Sequence, residues 1–147
     1  MTTEHYAETE NAILAQAGLS HADLYDPVRY ITSIRGGLAG SVVRSLIEAL
    51  HVPRIVVSEI LNVDESNVAR LYQRPRVSVT QSESIMDTTR LMLKAVRVFG
   101  NQDLATEWLQ TPVPALGNAR PFDLMDTFEG RKWIDQVLCN IESGEFM

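Results

Sequence analysis

Between residues 64 and 74 the sequence sets Ser66, Asn67, Arg70, Gln73 and Arg74 on the solvent side of a short amphipathic segment whose inner side is Val68, Leu71 and Tyr72. Those five side chains have the chemistry of a DNA reader. Asn and Gln pair bidentately with adenine, Arg pairs with guanine, and all can turn to phosphate oxygens. Arg54, at the start of the preceding helix, is placed to grip a phosphate. Glu65 opposes this reading, because a carboxylate at the entering end of a helix repels phosphate, although it can accept from cytosine. The solvated face of a packing helix would carry similar residues, so the reading turns on the elements around it.

Those elements form a tight group. A helix near Gly40 to Leu50 places Val42, Val43, Leu46, Ile47 and Leu50 on one face. A second starts at Pro53, carries Val56, Val57, Ile60 and Leu61 inward, and ends at Asn62-Val63. The third opens with Asp64 as N-cap and is halted by Pro75, which disfavours helix at Arg74. A packing helix followed by two short helices and a tight turn is the pattern of a helix-turn-helix.

Further along, Arg76 to Ser82 reads as a linker with alternating Val77 and Val79. A longer helix is expected from Glu83 to Phe99, stopped by Gly100, with Ile85, Met92, Val96 and Phe99 on one face and Leu91, Leu93 and Val98 widening it. So much apolar surface makes this helix the candidate dimer seam. Asn101 caps a short helix that turns Leu104, Ala105, Trp108 and Leu109 inward. Before the helix-turn-helix, residues 4–17 form a thinly supported polar helix ended by Gly18, and Ser20 with Asp23 caps another short turn before Pro27. Tyr25, Tyr30, Ile31 and Ile34 offer contacts that pack this region onto the rest. The fold class is all-α. Residues 1–36 form an acidic helical segment, 37–80 the helix-turn-helix region and 81–147 a small helical C-terminal domain.

Other chemistries find little support. Asp126 and Glu129 resemble a catalytic carboxylate pair, yet their spacing is that of a capping box and no nucleophile or histidine stands near them. His5, His21 and His51 lack metal-ligand spacing, and the lone Cys139 excludes an internal disulfide and a zinc site built on paired cysteines. No enzyme, metal or cofactor is expected. There is no apolar run of membrane-spanning length and no signal peptide, so a cytoplasmic protein without a membrane partner is expected.

The net charge of −6 conceals a division. Residues 1–27 carry five acids and no Lys or Arg, residues 28–97 ten basic and six acidic side chains, and residues 98–147 three basic and eight acidic. Only the basic middle suits a polyanion; the acidic ends would be repelled by one.

The stretch 112–147 is the most patterned. Pro112-Val113-Pro114-Ala115-Leu116-Gly117 makes a turn, Pro121 stands where a first helical residue belongs, and Asp126 with Glu129 opens a last helix near Thr127. Its apolar face is Trp133, Ile134, Val137, Leu138 and Ile141, with Trp133 assigned to the core, and Gly144 ends it. Arg131 and Lys132 lie near the helix start, where cations oppose the helix dipole, which points to a partner or a nearby carboxylate. This block, from Pro112 through Arg120-Pro121-Phe122-Asp123-Leu124-Met125-Asp126-Thr127 to Ile141-Glu142-Ser143-Gly144, resembles the C-terminal toxin-binding domain of the Xre/MbcA/ParS antitoxins. Three positions depart from the family pattern: Arg120 replaces a hydroxyl residue, Asn140 a basic one and Glu145 an apolar one.

The resemblance implies the antitoxin of a bacterial two-gene module whose partner is a RES-domain toxin acting on NAD. It also implies that Glu142, Ser143, Gly144, Glu145, Phe146 and Met147 enter or cover the toxin's NAD pocket. Arg120, Arg131 and Lys132 are the other candidate toxin contacts. Operator DNA is the second expected partner, bound by a homodimer that represses its own promoter. The competing expectation is a plain helix-turn-helix regulator whose C-terminal helices only dimerise.

Overall fold

The computed structural model describes residues 3–144, and among these every regular element is helical. The helices are α1 (Thr3–Ala15), α2 (His21–Tyr25), α3 (Pro27–Gly36), α4 (Gly40–Leu50), α5 (Arg54–Leu61), α6 (Val68–Tyr72), α7 (Val79–Phe99), α8 (Gln102–Leu109) and α9 (Phe128–Glu142). Short 3-10 turns occupy Glu65–Asn67, Pro114–Leu116 and Pro121–Leu124.

The longest helix, α7, organises the molecule and starts earlier than its apolar pattern suggests. Ser78 accepts from the Gln81 backbone N–H at 3.0 Å while the Gln81 side chain accepts from the Ser78 N–H at 3.1 Å. This reciprocal cap turns half of the expected linker into helix. Val77, just before it, is buried and donates its N–H to the Leu38 carbonyl. The same region ties α7 to its neighbours. Gln81 Nε2 donates to the last carbonyl of α5, at Leu61, and the buried Ser82 hydroxyl accepts from the Leu38 N–H at 2.9 Å.

Helices α1, α3, α4, α5, α8 and α9 all pack on α7. Ile85, Met86, Leu91, Met92, Leu93, Ala95 and Val96 are all buried within this one chain. The apolar surface expected to invite a second copy is therefore already covered by the chain's own helices. Its breadth reflects a central helix, buried nearly all round.

The N-terminal helices are better anchored than the polar sequence of α1 implied. Ile13, Leu14 and Leu24 are buried, and Glu10, 3% exposed, bonds His21 Nδ1 at 2.7 Å, linking α1 to α2. Ser20 and Asp23 form the expected cap: the Ser20 N–H donates to Asp23 at 2.8 Å. Burial pushes the Asp23 carboxyl up, but the Ser20 N–H and Arg29 outweigh it and hold the group below its ordinary value. Tyr25 and Ile31, expected to pack inward, are instead 41% and 45% exposed.

Candidate functional site

Helix α4 forms where expected, and its first residue fixes the position of α6. A Cβ on Gly40 would lie 2.5 Å from the Tyr72 carbonyl oxygen and 2.6 Å from that of Leu71, so α4 and the end of α6 touch backbone to backbone. The Gly40 N–H donates to the Arg74 carbonyl at 3.0 Å and completes the clamp. At the other end, Pro53 is the N-cap of α5 rather than its first residue, and Asn62 ends α5 in a left-handed conformation. Asp64 then stands at the N-cap of a 3-10 turn without a side-chain capping bond, so only Val68–Tyr72 of the expected third helix is α-helical.

The helix-turn-helix candidates stand free on this frame. Arg54, Ser66, Asn67, Arg70, Gln73 and Arg74 are all exposed, while Val68 and Leu71 hold the element down. Tyr72 is half-buried, and that burial raises its phenol above the ordinary value. Arg54 and Gln73 share a groove between α4, α5 and α6 with Ser41, Arg44, Ser45 and Tyr72. Arg54 Nη2 donates to the Glu65 carbonyl at 3.2 Å, which parks its charge over the 3-10 turn that precedes α6. Sequence reasoning missed Arg44, Ser41 and Ser45. They occupy the solvent face of α4, and only the packing of α4 on α6 brings that face beside Gln73.

In the C-terminal module the turn after α8 is closed by a bridge between Val113 and Ala119, with Gly117 in the left-handed region. Pro121 then opens a 3-10 turn instead of an α-helix. Arg120 caps nothing with its side chain and pairs with Asp123 through two bonds of 2.9 and 2.8 Å. That pair holds the Asp123 carboxyl below its ordinary value. The cap of α9 is Thr127, whose hydroxyl accepts from the Gly130 N–H at 2.9 Å, so the expected Asp126–Glu129 box is displaced by one residue.

The buried face of α9 consists of Ile134, Val137 and Leu138, with Ile141 half-buried. Trp133 is not core. It is 44% exposed, at the edge of the stripe, and packs beside Gly117. Arg131 reverses expectation in the other direction. It is 6% exposed, donating from Nε to Asp87 at 2.6 Å and from Nη1 to the Met125 carbonyl at 2.8 Å. The nearby carboxylate is thus the partner that Arg131 meets within the chain. Lys132 remains exposed, with Glu129 3.8 Å away.

At the far end of α9, Glu142 pairs with Arg97 at 3.0 Å while Ser143 and Gly144 are exposed. Glu145, Phe146 and Met147 lie outside the described residues. Lys94, the other cation that α7 offers to α9, donates to Asp135 at 2.7 Å and to Cys139 Sγ at 2.8 Å. Partial burial lowers the Lys94 value, but the Asp135 and Cys139 bonds overcome this and leave it raised. The thiol is thus in contact with a cation, which its position in the sequence did not suggest.

With this geometry in place, comparison with known proteins is specific. Residues 94–144 match the family described as the antitoxin Xre/MbcA/ParS C-terminal toxin-binding domain. The chain is 31% identical over 130 residues to a Sphingobium protein (strain YBL2) named Prs ADP-ribosylating antitoxin, covering 82% of each. It is 25% identical over 118 residues to the protein named Antitoxin Xre of Yersinia enterocolitica serotype O:8 / biotype 1B, covering 79% of this chain and 80% of that one.

Proposed function

Because this chain belongs to the Xre/MbcA/ParS antitoxin family, we propose that it silences a RES-domain, NAD-degrading toxin by physical occlusion and represses its own operon through the helix-turn-helix. Its broader role, an antitoxin with a cognate toxin partner, follows from that membership. The observation that carries the occlusion reading is the contrast along α9. Ile134, Val137 and Leu138 fix the helix to α7, while Glu142, Ser143 and Gly144 stand exposed at its end. A segment presented from a rigid support can cover a pocket without ordering the support on binding. In this reading residues 142–147 cover the NAD pocket, and Glu145 supplies negative charge to a basic site while Phe146 supplies an apolar anchor. Arg120 and Lys132, both exposed, are secondary contacts.

The DNA reading is supported by the same exposed cations that motivated it, now on an element clamped by Gly40. Arg70 on α6 and Arg74 just beyond its end read or grip DNA, Ser66, Asn67 and Gln73 meet base edges, and Arg54 with Arg44 approaches the backbone. Because α6 has only five residues, two copies on a two-fold site would supply the surface that one lacks. The joint Arg70→Ala, Arg74→Ala change is expected to weaken operator binding and to lower the salt slope by about two, leaving toxin inhibition intact. Gel-shift titration across salt concentrations measures both. An unchanged slope would remove α6 from the interface.

A further inference from the structure

A groove runs between α7 and α9, and its two sides come from different parts of the chain. Lys94, Arg97, Phe128 and Lys132 lie inside the matched toxin-binding domain. Tyr25 of α2 and Arg90 of α7 lie outside it. Tyr25 and the first half of α7, through Asp87, Arg90 and Leu91, therefore complete a surface that the matched domain builds only in part.

The composition of this groove is that of an unfilled interface. Phe128 is 68% exposed at the first position of α9, and Tyr25 is 41% exposed across from it. Neither ring is needed outward for solubility, and large aromatics with Arg are the residues enriched at interface cores. An adjoining hollow that shares Phe128 and Arg90 with the groove reaches Glu83 and Tyr30, over whose ring the Arg90 guanidinium lies at 3.9 Å. Burial pushes the Tyr30 phenol up to about 12, so it stays neutral beside that cation.

Charge selects the occupant. Five cations, Arg90, Lys94, Arg97, Arg131 and Lys132, line the groove with two carboxylates, Asp87 and Asp135. Asp87 holds the buried Arg131 and Asp135 holds Lys94, so Arg90, Arg97 and Lys132 are the cations open to an occupant. Glu142 and Glu129 pair with Arg97 and Lys132 from outside the lining, and all four of these side chains are at least 44% exposed. Pairs so exposed contribute little and can be exchanged for a partner's carboxylates. We propose that this groove receives an acidic segment of the cognate toxin bearing an apolar side chain, so that residues ahead of the matched domain, Tyr25 and Arg90, take part in choosing the toxin. The inference rests on the chain's role as a toxin binder, and extends it to a wall that the matched domain does not contain. Complementary charge would speed the encounter and reject toxins whose segment is basic.

The test measures affinity of the full-length chain for the toxin encoded beside it, by titration calorimetry at low and high salt. Arg90→Gln and Tyr25→Ser, both outside the matched domain, are expected to weaken binding about tenfold, while Tyr25→Phe stays near wild type because it keeps the ring. Since the Tyr25 hydroxyl bonds Glu10, thermal melting accompanies each variant, and Arg90→Gln carries the test if Tyr25→Ser loses its fold. Wild-type binding with Arg90→Gln and folded Tyr25 variants all within twofold would overturn the groove while leaving the toxin-binding role intact. If Arg90→Gln lost operator affinity and kept toxin affinity, the groove would belong to DNA and the proposal would fall. Failure of the wild-type chain itself to bind would remove both.

Discussion

Gly130→Ala is expected to lower stability by ~3 kcal/mol, a drop of ~10 °C in melting temperature, even though Ala is the better helix former by about 1 kcal/mol. The reason is a backbone contact. A Cβ at Gly130 would overlap the Leu124 carbonyl and lie 2.9 Å from Thr127 Oγ1, the atom that caps α9. No rotamer change relieves a clash with a carbonyl. The 3-10 turn at Pro121–Leu124 would have to move, and with it Pro121 and Phe122, both buried, and the adjoining Met125, which is wholly buried. A thermal melt resolves the shift. A midpoint within ~2 °C of wild type would mean that the turn yields freely and that α9 is held by its apolar face alone.

The second large effect concerns Arg131. Replacing it with Ala is expected to cost ~2–3 kcal/mol, below the ~3–5 kcal/mol for breaking a fully buried pair, because the Asp87 side chain is 26% exposed. Arg90, 3.6 Å away, would also remain to share its charge. The Met125 carbonyl would lose its donor as well. Arg131→Lys should not rescue the loss, since one ammonium cannot reproduce a fork that reaches a carboxylate and a carbonyl at once. Denaturant unfolding separates the possibilities. Unchanged stability with weaker toxin binding would return Arg131 to the toxin interface.

These two positions illustrate what the sequence could and could not disclose. Helix α4, the caps at Ser20 and Asn101, and the stop at Gly100 were legible because each depends on residues within a few positions of one another. The early start of α7 was equally local: the Ser78–Gln81 pair is a capping box, overshadowed by the alternation of Val77 and Val79. Arg131 was different in kind. Its burial depends on Asp87, 44 residues away, and nothing near Arg131 foretells that partner. Trp133 sat on the boundary of a correct apolar stripe, where periodicity alone cannot decide between core and surface. Likewise the width of the apolar surface on α7 was read correctly, but it could not reveal that the chain's own helices cover it. The candidate DNA residues were found from their types and spacing, whereas Arg44 joined them only through the packing of α4 on α6.

The most direct measurement is cellular NAD and growth when the toxin encoded beside this chain is expressed with it, comparing the full sequence with a version ending at Ser143. The full chain should preserve NAD, while the shortened one should still co-purify with the toxin yet fail to protect, because α9 and its buried face remain but residues 144–147 of the covering segment are gone. Equal protection by both would contradict occlusion by the residues after Ser143 and place inhibition elsewhere on the surface.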